Sequence, residues 1–184
     1  GDNLNKKDQS LLNQSILKYS KNNDLVITVD YGHGLISNST SKIISKLKKF
    51  KTINAQLNSF NIGDHSLRKY QTINCIVINE SELRHELRNQ SDSVKDLMGD
   101  LFKIIKFKFL IVTQGRNGAT LYDSDAKKYF DIPAFGTLIK DKIGAGDSML
   151  SLLSMSLFQK NDIYLSLLLG SIASAFSIST LANK

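Results

Sequence analysis

One cysteine and one proline occur among 184 residues. The lone Cys75 excludes an intrachain disulfide, so a reducing, cytoplasmic compartment is the expectation. The lone Pro133 leaves no material for a proline-rich spacer. Three histidines and one thiol stand at no metal-ligand spacing, which argues against a zinc site. There is no GxxxxGK followed by Ser or Thr, and no GxGxxG, so neither a P-loop enzyme nor a dinucleotide dehydrogenase is indicated. No stretch interleaves basic and aromatic residues, so nucleic acid is not an expected partner. No signal-peptide pattern is visible in the first residues. The most apolar stretch, DIYLSLLLGSIASAF (162–176), is interrupted by serines and by Gly170, and it reads as a buried helix with no role in a membrane.

A hydrophobic content of 41% suffices for a folded core. The formal charge of +7 has two readings: a compositional bias spread over the surface, or a basic pocket for an anionic substrate. The densest basic run, KLKKF with Lys51 after it, closes an apparent helix and reads as its solvated end, where cations suit the dipole.

Hydrophobic periodicity divides the chain. Residues 8–21 carry a helical stripe at Leu11, Leu12, Ile16 and Tyr19. DLVITVD (24–30) is a β-branched strand ending in an acid. Residues 37–50 read as a helix with Ile43, Ile44, Leu47 and Phe50 on one face. TINAQL (52–57) and CIVIN (75–79) are strands, ESELRHELR and VKDLMGDLFKIIK (94–106) helices, and FLIVTQ (109–114) a fourth strand. ATLYD and KYFDIP suit a hairpin, and two apolar helices at about 145–160 and 162–180 finish the chain. Alternating strands and helices predict an α/β fold: three α/β/α layers around a mostly parallel sheet, as one domain over 1–184. Ligands of such sheets bind beyond the carboxyl ends of the strands. The residues there are DYGHG, NSFNIG, NESE, TQGRNG and IGAGD, each rich in Gly, Asn, Asp or Glu.

In the last of these, Gly144, Ala145 and Gly146 carry little or no side chain, so a bound group can approach their N–H groups. If a helix begins near Gly146, its positive end suits an anion and favours the ionised form of Asp147. A carboxylate there can accept the proton of a hydroxyl that attacks phosphorus, typically for about 10²–10⁴-fold in rate. The plain alternative is a loop followed by a first-turn acid.

DKIGAGDSM (141–149) resembles the signature of the ribokinase-like, or PfkB, carbohydrate kinases. VTQGRNGATLYD resembles the family's strand–Gly–Gly-Ala segment, and NESE its Asn-x-x-Glu motif, in the right order. DYGHGLIS and the segment 54–84 are similar to the heptose-phosphate kinases that feed ADP-heptose synthesis. The resemblance covers nearly the whole chain. It implies an ATP-dependent phosphotransferase with Asp147 as base and the backbones of Gly144, Ala145 and Gly146 as anion hole. Asn79 and Glu82 would organise Mg2+ through its waters, since magnesium prefers oxygen ligands and keeps several waters. Thr113 and Gly115, with Gly118, would lie along the nucleotide. Asp141 and the carbonyl of Ile143 match where relatives hold a monovalent cation such as K+. Asp30, Gly32 and His33 would face the acceptor sugar or its phosphates; His33 stands where relatives often carry Lys.

Each assignment has a structural counterpart. Asn79 and Glu82 fit a helix N-cap and its capping-box partner. Gly115 and Gly118 fit a tight turn. Asp141 fits an exposed loop acid. His65 and His85 read as structural or exposed. Lys142 replaces the family's usual Thr, which removes neither base nor anion hole.

Family members are far longer, so by resemblance the chain is expected to be the nucleotide half of a kinase, without the first strands, the lid and the sugar clamp. Such a piece is expected to bind ATP weakly and to turn over sugar slowly or not at all, because lids exclude water and complete a site. A homodimer, or fusion to a nucleotidyltransferase, is the implied assembly. A nucleoside or hydroxymethylpyrimidine acceptor, and a non-catalytic domain of the same fold, are the competing readings.

Overall fold

The computed structural model describes residues 4–56, 66–134 and 145–181. Its elements are α1 (Lys6–Ser20), β1 (Leu25–Asp30), α2 (Asn38–Lys46), β2 (Phe50–Ala55), β3 (Thr72–Asn79), α3 (Glu80–Leu87), α4 (Val94–Ile104), β4 (Lys106–Thr113), β5 (Ala119–Asp123), β6 (Lys128–Ile132), α5 (Ala145–Phe158) and α6 (Ile163–Leu181). The six strands form one sheet in chain order, β1 to β6. The first four are parallel. β5 and β6 add an antiparallel hairpin.

The apolar runs are continuous because both sheet faces are covered. Ile53, Ile76, Ile78, Leu110 and Val112 point to one face, against Ile44 of α2, Leu83 of α3 and Leu97, Met98 and Leu101 of α4. The alternate residues Cys75, Val77, Phe109, Ile111 and Leu121 point to the other, against Met149, Leu150, Leu153 and Leu157 of α5 and Leu167 of α6. This is the three-layer α/β/α arrangement the periodicity predicts.

Helix starts follow the local chemistry. Asn5, Ser37, Asn79 and Ser93 each accept a hydrogen bond from a backbone N–H three residues on. Such caps satisfy donors that have no partner within the helix. No helix of the described residues is long and apolar enough to cross a membrane.

Of the boundaries that differ from the periodicity, two move a residue into another element. The helix expected over 37–50 stops at Lys46: Leu47 turns to extended backbone (φ −60°, ψ 132°), and Phe50 opens β2. Lys51 therefore does not sit on a solvated helix end. It lies in β2, 6% exposed, and its Nζ donates to the Ser45 carbonyl at 2.7 Å. Burial holds its ammonium below the usual lysine range. The second helix, expected to reach 106, ends at Ile104, and β4 begins at Lys106. Its KFKF start alternates exposed lysine with buried phenylalanine, the period of a strand.

Candidate active site

Strand register brings three of the expected positions to one rim. Asp30 pairs with Ala55. Asn79 pairs with Thr113. Thr113 pairs with Ala119, which pairs with Ile132, so β6 ends on the same rim as β4. The chain thus leaves β6 on the same rim as the carboxyl ends of β1, β3 and β4, from the sheet edge opposite β1.

α5 returns along the sheet. Its last residue, Phe158, meets Phe50, the first residue of β2, edge to face with centroids 5.9 Å apart. From there its 14 residues, at about 1.5 Å each, rise roughly 21 Å. The six residues of β2, at about 3.3 Å each, span roughly 20 Å. The start of α5 therefore stands level with the rim. Gly146 is exposed, and a Cβ built on it would meet nothing within 4 Å. Asp147 is half-buried in the first turn, and its carbonyl accepts from the Ser151 hydroxyl at 2.9 Å. Ala145 opens the helix. Gly144, Asp141 and Ile143 lie outside the described residues.

Asn79 and Glu82 form a complete capping box. The Asn79 carboxamide accepts from the Glu82 N–H at 2.8 Å, and the Glu82 carboxylate accepts from the Asn79 N–H at 2.8 Å. Glu82 is 6% exposed, whereas Asn79 is exposed at the rim. An oxygen-only pair on the rim fits a hydrated magnesium ion in donor chemistry.

After β4 the chain makes a 3-10 turn, Gly115–Asn117. Gly118 follows with φ 85° and ψ −135°, and its carbonyl accepts from the Gln114 N–H at 2.8 Å. A Cβ there would lie 1.9 Å from the Ile132 carbonyl oxygen. Gly118 is thus required by the turn itself. Gly115 (φ 57°) has open space around its would-be Cβ and is exposed. A cavity of about 350 Å³ beside this turn, lined by Lys95, Gln114, Asn117 and Asp131 among others, opens on the α4 side. α5 covers the other face, so this cavity does not contain Asp147.

The loop after β1 carries a constellation that sequence reading missed. Asp30 is 3% exposed. One carboxylate oxygen receives the Tyr70 hydroxyl at 2.6 Å and lies 2.6 Å from the Lys69 ammonium. The other accepts from the Gly32 N–H at 3.1 Å. Burial first, then the charge and hydrogen bond of Asp30, push the Tyr70 phenol far above its ordinary value. Gly32 and Gly34 take positive φ, 72° and 84°, and His33 between them is exposed. Lys69 and Tyr70 follow the NSFNIG segment, but no periodicity marks them. Their partner is some forty positions earlier, and only the adjacency of β1, β2 and β3 brings them together. Among the described residues, no group of three or more His, Cys, Asp or Glu side chains could hold a metal ion.

Comparison with known proteins agrees with this architecture. The model of the pfkB family carbohydrate kinases matches residues 2–182. The chain is 30% identical over 153 residues to the bifunctional protein HldE of Desulfatibacillum aliphaticivorans, covering 78% of this chain and 30% of that protein. It is 30% identical over 155 residues to HldE of Campylobacter fetus subsp. fetus, covering 83% and 32%. The chain thus spans about a third of the curated relatives it matches. Phosphofructokinase-2 from Escherichia coli in complex with potassium superposes with a TM-score of 0.77 at 16% identity, over 94% of this chain and 56% of that one. Ribokinase from Arabidopsis thaliana complexed with ribose and ATP gives 0.70 at 14% identity, over 97% and 55%. With the signature over the start of α5 and the family model over nearly its whole length, this chain belongs to the pfkB family of carbohydrate kinases.

Proposed function

We propose that the chain is the nucleotide-binding part of a kinase that transfers the terminal phosphoryl group of ATP to a hydroxyl of a sugar or sugar phosphate, with a heptose 7-phosphate-like acceptor. The observation that carries the reading is the half-buried Asp147 in the first turn of α5, level with the rim on which Asp30, Asn79 and Thr113 end. The HldE relatives and the DYGHG loop support the heptose-like acceptor.

Asp147 accepts the proton of the acceptor hydroxyl as its oxygen forms the new bond to phosphorus. The bond from phosphorus to the bridging oxygen breaks, and ADP leaves with that electron pair. The N–H groups of Gly144, Ala145 and Gly146 face the charge on the phosphoryl oxygens, helped by the positive end of α5. Thr113 and Gly115 lie along the nucleotide phosphates, and Asp30 with His33 faces the acceptor. Asn79 and Glu82 would hold magnesium through its waters, where it would offset phosphate charge. Asp141 and Ile143 would hold a monovalent cation beside the anion hole.

Asp147→Asn tests the base. ADP release with heptose 7-phosphate is expected to fall by about 10²–10⁴-fold, with ATP affinity within about twofold of the parent chain. Retained turnover removes Asp147 from the mechanism. Glu82→Gln tests the magnesium assignment separately: ATP affinity measured with and without Mg2+ should lose its metal dependence. ADP release with a nucleoside or a hydroxymethylpyrimidine, and none with a sugar phosphate, would move the acceptor to another class.

A further inference from the structure

Lys69 closes the 3-10 turn Leu67–Lys69 and reaches back to the loop after β1. Its ammonium lies 2.6 Å from the Asp30 carboxylate and donates to the Ile36 carbonyl at 2.8 Å. One side chain therefore grips both ends of the loop whose middle is Tyr31 to Leu35. The Tyr70 ring lies under the same ammonium, 5.5 Å from its centroid. The turn that carries Lys69 is itself fastened. The Ser66 hydroxyl, the Leu67 N–H and the Arg68 guanidinium all donate to the Glu86 carboxylate, at 2.7, 2.9 and 3.2 Å. Glu86 is buried on α3, one turn beyond Glu82.

The held loop has reason to move if released. Gly32 and Gly34 both take positive φ, and glycine gives the unfastened chain the widest choice of conformations. Tyr31, His33 and Leu35 are exposed in its middle. Lys69 also balances the charge of Asp30. Removing it takes a cation away from a buried carboxylate beside the path of an anionic acceptor, and like charges at close range disfavour binding.

We propose that Lys69 is a positioning residue for the acceptor loop, fixing Tyr31 to Leu35 and cancelling the charge of Asp30 so that a phosphorylated acceptor can approach. The assignment rests on the reading that this loop faces the acceptor. It concerns Lys69, to which that reading gives no role.

The test uses the full chain with Lys69→Met, and with Lys69→Gln should the methionine variant not fold; glutamine can still donate to Ile36 but cannot neutralise Asp30. Amide hydrogen exchange of Tyr31 to Ile36 is expected to speed up tenfold or more, with β3 and β4 unchanged. Affinity for heptose 7-phosphate is expected to fall tenfold or more. Affinity for the unphosphorylated heptose should fall less, and ATP affinity should stay within twofold. Lys69→Arg should restore both exchange and sugar-phosphate affinity to within threefold. Unchanged exchange in the loop overturns the proposal, as does an equal loss of ATP and sugar affinity, the mark of a merely structural lysine. A parent chain that binds ATP but no sugar phosphate sinks the acceptor reading, and this assignment with it. Sugar-phosphate binding indifferent to Lys69 sinks the assignment alone.

Discussion

Gly118→Ala offers a sharp test of how the turn after β4 is built. A methyl group there would lie 1.9 Å from the Ile132 carbonyl oxygen, 2.7 Å from the Pro133 carbonyl carbon and 2.9 Å from the Ala134 nitrogen. All three are backbone atoms, so no side chain can rotate out of the way. The conformation itself, φ 85° and ψ −135°, costs a residue with a Cβ about 1–3 kcal/mol. Relief of the clash requires the turn to lift from the end of β6. That sacrifices one or two of the bonds around it, such as Gln114 N–H to Gly118 O at 2.8 Å, at about 0.5–1.5 kcal/mol each. Together these give about 1.5–6 kcal/mol, centred near 4. Gly115→Ala is the control. It also has positive φ, but nothing lies within 4 Å of its would-be Cβ, so only the left-handed penalty of about 1–2 kcal/mol applies. Urea unfolding followed by far-ultraviolet circular dichroism measures both. Gly118→Ala should be the less stable by about 2 kcal/mol or more, a difference of roughly 4–8 °C in Tm for a chain of this size. Equal midpoints for the two variants would refute the steric argument.

Three further outcomes follow from described contacts. Asn79→Ala removes the acceptor that caps α3 and should cost about 1 kcal/mol in urea unfolding, whereas Asn79→Asp keeps the cap and should cost little; an alanine variant as stable as the parent would show that the box contributes nothing. The Lys51 ammonium titrates below its unfolded value, so the unfolded chain binds this proton more tightly. The penalty is present below the folded pKa and fades as pH rises toward the ordinary lysine value. Stability measured against Lys51→Met should therefore rise with pH through the alkaline range, and a flat or falling difference would contradict the burial. Cys75 is fully buried and its thiol is pushed up to about 12 by burial. It should resist iodoacetamide at pH 8 in the folded chain and react once urea unfolds it, so rapid labelling of native protein would refute the packing.

Much of the fold was legible because a parallel sheet covered on both faces demands unbroken apolar strands, and CIVIN and FLIVT have few other uses. The misread stretch shows the limit. Ile43, Ile44, Leu47 and Phe50 satisfy helical spacing, and no glycine or proline marks the stop at Lys46. What ends the helix is the pull of Phe50 and Lys51 into β2, a tertiary choice over a short span. The site divided along the same line. Motifs that follow strands were findable, since each strand end delivers its loop to the rim. Asn79 and Glu82 were legible as a spacing of three. Lys69 was not, because its partners Asp30 and Ile36 precede it by more than thirty residues and meet it only across adjacent strands. Lys51 was misjudged for a related reason: the acceptor that lets it be buried, the Ser45 carbonyl, is backbone and leaves no trace in residue type.

Gly170 links the back of the molecule to its front. A Cβ there would come within 3.2 Å of both the Leu153 Cβ and the Met149 Cγ, so α6 rests on α5 with no room for a methyl group. Met149 lies only two positions beyond Asp147. A methyl group at this remote contact would make the Leu153 and Met149 side chains give by a few tenths of an ångström, while leaving every rim residue untouched. The start of α5 is therefore seated partly from behind, against the thinnest side chain on the neighbouring helix.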